Sequence, residues 1–143
     1  MIRVAIVEDE RVCSEMLQEY LCRYEKESGE NIQIRVFEDG EDIAVGYRAE
    51  YDIILMDIEM KFMDGMSAAE AIRQADEEVT IIFITNMAQY AIRGYAVNAL
   101  DYVLKPVSYF AFSQRFERAV RKMRKKQKHY VVIKVKGGSK KIG

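Results

Sequence analysis

Residues 53–57 read Ile53-Ile54-Leu55-Met56-Asp57, and this short run decides the fold. Four consecutive large apolar residues show no polar alternation, so a strand made from them is covered on both faces, as in a parallel sheet packed between helices. The run stops abruptly at a carboxylate, and four other apolar runs also end in polar groups. Upstream, Ile2–Val7 ends at Glu8-Asp9-Glu10, and Ile32, Ile34 and Val36 alternate with polar residues before the turn Glu38-Asp39-Gly40. Downstream, Thr80–Ile84 ends at Thr85, and Tyr102–Leu104 ends at Lys105.

The segments between these runs carry helical spacing. Val12, Met16, Tyr20 and Tyr24 recur every four residues and predict a helix of about four turns. A shorter helix is expected from Gly40 to about Arg48, and Met63-Asp64-Gly65 turns into an alanine-rich helix over 67–75. A weaker helix is predicted over 88–97. Ser108 can cap a last helix whose stripe is Tyr109, Phe112, Phe116, Ala119 and Met123. Five strands, each followed by a helix, specify an α/β domain: a doubly wound parallel sheet with helices on both faces and right-handed crossovers. In such sheets ligands sit outside the carboxyl ends of the strands.

Composition agrees with a folded domain. The chain has 143 residues, 50% of them hydrophobic, with a single proline and a single histidine, which excludes collagen-like, mucin-like and disordered classes. No apolar run reaches the roughly 18 residues of a membrane span. Residues 1–10, MIRVAIVEDE, do not read as a signal peptide, so a soluble, cytoplasmic protein with no membrane partner is expected. Cys13 and Cys22 fall on one helix about 13.5 Å apart, too far for a disulfide, and read as reduced packing residues. One histidine cannot complete a zinc cluster with them.

Charge is unevenly distributed. Residues 1–114 hold 10 basic and 22 acidic residues, whereas residues 115–143 hold 12 basic and one acidic. Arg121–Lys128 reads as a solvated basic linker, with contact to nucleic acid as the alternative. Tyr130–Val135 reads as one more strand with no partner in this chain. Residues 1–125 are therefore expected to form one domain, and residues 126–143 a basic linker and the truncated start of a second.

The strand ends collect an unusual set of groups: Glu8 and Asp9 after the first, Asp57 after the third, Thr85 after the fourth and Lys105 after the fifth. Three converging carboxylates repel one another and need a cation, and hard oxygen ligands favour Mg²⁺. A hydroxyl and an ammonium opposite them suit a phosphoryl group. Asp57 can itself be a nucleophile that forms an aspartyl phosphate, with alignment and charge neutralisation supplying the catalysis.

These residues, with the Met63-Asp64-Gly65 loop and the run Tyr102-Val103-Leu104-Lys105-Pro106, resemble the receiver domain of two-component response regulators over about residues 2–125. The resemblance implies a flavodoxin-like sheet of strand order 2-1-3-4-5. It implies Asp57 as phosphoacceptor, with Mg²⁺ bound by Asp9, by Asp57 and by the Glu59 backbone carbonyl, and Glu8 acting largely through water. Thr85 and Lys105 would bind phosphoryl oxygens, and Tyr102 would reorient when Thr85 moves. A sensor histidine kinase is the implied donor. A homodimer on phosphorylation and a C-terminal DNA-binding output domain are the implied partners of the switch. The segment Tyr95–Pro106 is similar to the LytTR-type subgroup (LytR/AgrA-like), and residues 130–143 are similar to the opening strand of its output module. Lys61 departs from the proline usual four residues after the phosphoacceptor, and Asn86 departs from the small residue usual after the threonine. Two alternatives remain: a phosphate-independent pseudo-receiver of the same fold, and a phosphatase with an aspartate nucleophile, whose site resembles this one. The latter usually carries a second Asp two residues on, where this chain has Glu59, so a switch and not a turnover enzyme is expected.

Overall fold

The structure, a computed structural model, describes residues 1–136, with side chains described through residue 127. The elements follow in the order β1 (Ile2–Val7), α1 (Arg11–Ser28), β2 (Ile32–Phe37), α2 (Gly40–Ala44), β3 (Ile53–Met56), α3 (Gly65–Ala75), β4 (Thr80–Thr85), β5 (Asp101–Leu104) and α4 (Tyr109–Lys136). The five strands are all parallel and lie in the order β2-β1-β3-β4-β5. This is the doubly wound order implied above. The strand order reverses between β1 and β3, which opens a crevice at their carboxyl ends.

Strand alternation divides the core into two layers. Val4, Ile6, Ile53, Leu55, Ile82 and Ile84 face α1 and α4, where Leu17, Leu21, Phe112 and Phe116 pack against them. Ala5, Val7, Ile54, Met56, Ile81 and Phe83 face the other way, onto Ile43 of α2 and Met66, Ala69 and Ile72 of α3. With both faces covered, the uninterrupted apolar runs are explained.

Register sets the level of the strand ends. Val7 pairs with Met56, Met56 with Phe83, and Thr85 with Leu104. The ladder continues one step further, because Asp57 N–H donates to the Val7 carbonyl at 3.0 Å and Lys105 N–H to the Thr85 carbonyl at 2.8 Å. The polar residues that end each run are therefore carried on backbone already fixed by the sheet.

Several local expectations are corrected. Val12 is 80% exposed, and the inward face of α1 is instead Ser14, Leu17, Leu21 and Tyr24, with 3- and 4-residue spacing. Cys22 is exposed and Cys13 half-buried, so Cys22 does no packing. The expected helix over 88–97 is two 3₁₀ turns, Ala88–Tyr90 and Ile92–Tyr95. In this segment only Gly94 and Val97 are buried, too few to anchor an α-helical stripe on the sheet. Helix α2 stops at Ala44, before a left-handed Gly46, and not near Arg48.

The carboxyl-terminal segment differs most. Tyr130–Val135 is not a strand: α4 runs unbroken to Lys136. Among the described residues no strand lies beside it, and the backbone there satisfies its own hydrogen bonds as helix. Nor does the basic stretch leave the domain at Arg121. Arg124 forks onto Glu30 at 2.5 and 2.7 Å, and Lys126 donates to the Glu78 carbonyl at 2.5 Å. Residues 137–143, the rest of the expected second unit, lie outside the described residues. Among the described residues no helix is long and apolar enough to cross a membrane.

Candidate functional site

Glu8 follows β1, Asp57 follows β3 and Lys105 follows β5, and the parallel register brings all three side chains together. Lys105 Nζ lies 2.8 Å from Glu8 Oε1, 3.2 Å from Asp57 Oδ2 and 3.6 Å from Glu10 Oε1. Its side chain is only 8% exposed and Glu8 only 2%. Oxygens of Glu8, Asp9 and Asp57 all fall within 4.8 Å of one another. Asp9 is exposed and therefore reachable from solvent. The peptide preceding Pro106 is cis.

Electrostatics at this site follow from burial and crowding. Burial pushes the Glu8 carboxyl up, the hydrogen bond from Lys105 pulls it down, and the Asp57 charge pushes it up again, so that it stands above the ordinary range. Asp9 is raised first by burial and then by Asp57. Burial alone would lower Lys105; the hydrogen bond to Glu8 and the charges of Asp57 and Glu8 outweigh it and hold the ammonium protonated.

Thr85 is fully buried at the end of β4, and its Oγ1 accepts from the Met87 N–H at 3.2 Å. The Met87 carbonyl in turn accepts from the Tyr102 hydroxyl. Thr85 and Tyr102 thus hold opposite ends of one residue's backbone, and the Tyr102 ring packs on Phe83 with centroids 5.7 Å apart.

Above Asp57 opens a cavity of about 410 Å³, lined by Asp9, Glu10, Glu59, Lys61, Thr85 and Asn86 among others. Two contacts shape its floor. The Asp57 carboxylate accepts from the Ile58 N–H at 2.7 Å. Gly65 approaches so closely that a Cβ there would lie 1.8 Å from the Asp57 carbonyl oxygen, while its N–H donates to Ile58 at 2.8 Å.

All seven residues singled out in the sequence lie at this end of the sheet. Glu8, Asp9, Asp57 and Lys105 form one cluster; Thr85 and Glu59 line the cavity; Tyr102 stands behind Met87. Three participants went unread. Glu10 is the third carboxylate near Lys105. Asp39, read only as turn chemistry, accepts from the N–H groups of Phe62 at 2.8 Å and of Met63 and Glu41 at 2.9 Å, bracing the loop after Asp57. Burial would raise its carboxyl, but these donors together hold it below the ordinary range. An Asp-Gly pair at a helix start was the available signal. Met87 contributes only its backbone, for which sequence carries no signal.

Comparisons with known proteins agree with this geometry. The family model for the response regulator receiver domain matches residues 4–117. Among curated relatives, the transcriptional regulatory protein RprY of Bacteroides fragilis is 30% identical over 94% of this chain and 56% of its own length. The sensory transduction protein LytT of Oceanobacillus iheyensis is 34% identical over 87% of this chain and 48% of its own. The chain spans about half the length of the curated relatives it matches. Of solved structures, the response regulatory domain of mrkE from Klebsiella pneumoniae superposes with a TM-score of 0.77 at 25% identity, over 87% of this chain and 99% of that one. The response regulator TrrA of Thermotoga maritima, solved in complex with Mg(2+)-BeF, gives a TM-score of 0.70 at 28% identity, over 83% and 99%.

Proposed function

The chain belongs to the response regulator receiver domain family, and from that premise we propose that it is a signalling switch that takes a phosphoryl group onto Asp57 from a sensor histidine kinase. The observation that carries this reading is the position of the Lys105 ammonium, bonded at once to Asp57 and Glu8 with Asp9 in the same oxygen cluster. Asp57 is the nucleophile: it opens onto the cavity and hydrogen-bonds Lys105 at 3.2 Å, whereas Glu10 lies farther from the ammonium at 3.6 Å, Asp9 makes no ion pair with it, and Glu8 does not line the cavity. Lys105 and the Thr85 hydroxyl receive the phosphoryl oxygens as they arrive.

The donor set fits a hard divalent cation. Asp9, Asp57 and the Glu59 carbonyl would hold Mg²⁺ directly and Glu8 largely through water, an all-oxygen set with few protein ligands. Bound there, Mg²⁺ would offset the negative charge of the phosphoryl oxygens. TrrA, whose structure holds Mg(2+)-BeF, supports this assignment by similarity.

The switch itself is read from Met87. When Thr85 turns its hydroxyl toward a phosphoryl oxygen, the Met87 N–H loses its acceptor, and the Tyr102 hydroxyl is bound to the other side of the same residue. Tyr102 moves in consequence, altering the surface of β5 and the 3₁₀ segment. That change would promote a homodimer and control a C-terminal DNA-binding output domain of LytTR type, reached through the carboxyl-terminal extension of α4. The relatives named as transcriptional regulators support this larger role. The protein is expected to act in the cytoplasm and to turn over no substrate beyond its own Asp57.

Intact mass after incubation with Mg²⁺ and acetyl phosphate tests the reading. Wild type should gain one phosphoryl group and Asp57→Asn none. Full modification of the variant would refute the assignment, and an unmodified wild type would favour the phosphate-independent alternative.

A further inference from the structure

Lys105 has its charge engaged before any donor arrives. Three carboxylates surround its ammonium within 3.6 Å, and its side chain is almost closed to solvent. The cavity through which a donor reaches Asp57 is bordered by Asp9, Glu10 and Glu59, and its one lining cation is Lys61. Lys61 is exposed and, among the described residues, forms no ion pair; the Phe62 ring, 5.4 Å from Nζ, is its neighbour. An exposed ammonium thus lines the cavity over Asp57, on an otherwise acidic wall.

We propose that Lys61 sets the leaving-group specificity of phosphoryl transfer to Asp57 from small-molecule donors, favouring acyl phosphates over phosphoramidate. This rests on Asp57 being the acceptor. In the transfer, an Asp57 carboxylate oxygen forms a bond to phosphorus while the bond from phosphorus to the acyl oxygen breaks. The electron pair goes to that oxygen, and a carboxylate departs without needing a proton. Asp57 attacks from the floor of the cavity, so in-line geometry places the leaving group on the open side, where Lys61 lies. Negative charge grows there as the bond breaks, and a nearby cation lowers the barrier. A phosphoramidate behaves oppositely. Its nitrogen is already protonated, takes the bonding pair and leaves as a neutral amine, so Lys61 offers no stabilisation.

The test compares acetyl phosphate with phosphoramidate as donors, at saturating Mg²⁺, by the rate of phosphoryl mass gain in the full chain. Relative to wild type, Lys61→Gln should lower the ratio of the acetyl phosphate rate to the phosphoramidate rate about fivefold, the scale of one exposed unit charge. Lys61→Arg should restore the ratio, and added salt should shrink the wild-type preference. An unchanged ratio in Lys61→Gln, whether both rates hold or both fall together, overturns the inference. Failure of wild type to gain mass from either donor overturns the Asp57 reading itself, an outcome distinct from an unchanged ratio.

Discussion

Replacing Gly65 by alanine should destabilise the protein more than replacing Gly29, and for a different reason. At Gly29 the backbone is left-handed, with φ +79°, and a Cβ would meet nothing within 4 Å. Gly29→Ala thus costs only the conformational penalty, about 1–2 kcal/mol. Gly65 has no such backbone problem. Its Cβ would lie 1.8 Å from the Asp57 carbonyl oxygen and 2.8 Å from the carbonyl carbon, and neither atom can swing away. The first turn of α3 must retreat from β3 by more than an ångström. The Gly65 to Ile58 hydrogen bond, worth about 1 kcal/mol, is then stretched or lost. Met66, Ala68 and Ala69, all fully buried, are pulled off the sheet with it, at a cost of the order of overpacking, about 1–3 kcal/mol. Together these give about 3 kcal/mol, or a fall of about 2 M in the urea midpoint. Because the strain falls on the Asp57 carbonyl, phosphoryl uptake should slow as well. Paired urea titrations of the two variants decide the matter: if Gly65→Ala is no more destabilising than Gly29→Ala, the close approach of α3 to Asp57 is not a constraint on this fold.

Asp39→Asn should destabilise the fold by about 2 kcal/mol at pH 7, since its amide turns a donor toward at least one backbone N–H of the loop 61–63. The folded-state carboxyl of Asp39 lies below its ordinary value, so its contribution is present above the unfolded pKa and is lost as pH falls through the folded one. Denaturation of both proteins across pH should show a constant gap above about pH 5 that narrows in acid; a gap that widens in acid contradicts the sign. Tyr102→Phe should cost only about 1 kcal/mol yet speed amide hydrogen exchange around Met87, and unchanged exchange there would separate Tyr102 from the Thr85 linkage. Lys105→Met removes the ammonium that holds Glu8 and Asp57 together, so calorimetry should show Mg²⁺ binding tightened by at least about fivefold, while phosphoryl uptake slows. Weaker Mg²⁺ binding in that variant would mean the ammonium positions the carboxylates instead of competing for them.

The sheet was readable because its strands are short, apolar and bounded by polar residues, and parallel register then fixes which of those residues meet. Glu8, Asp57, Thr85 and Lys105 were legible for that reason: each is the first polar group at or after a strand end. What escaped depends on rotation and on tertiary partners. Val12 shares four-residue spacing with Met16, Tyr20 and Tyr24, but strict fours drift around a 3.6-residue helix, and the true buried line runs through Leu17 and Leu21. The 3₁₀ turns of Ala88–Tyr95 carry alanines that read equally well as helix. Tyr130–Val135 has β-branched residues but, among the described residues, no strand beside it, and the helix continues through it. Glu10 and Asp39 were visible as residues, but their partners are set by loop paths that no periodicity encodes.

The final helix has a consequence for any polyanion that meets this domain. Arg115 and Arg118 sit on Asp101, Arg121 on Glu117, Arg124 on Glu30 and Lys126 on Glu78. These cations already have covalently tethered counterions. A nucleic acid phosphate would displace a carboxylate of the same chain, which stays nearby and competes for return. Each such contact would gain less than a free lysine provides, and would depend less steeply on salt than a count of basic residues suggests. Along the chain the acidic stretch and the basic tail are segregated; in space, these five cations lie against carboxylates of the same chain.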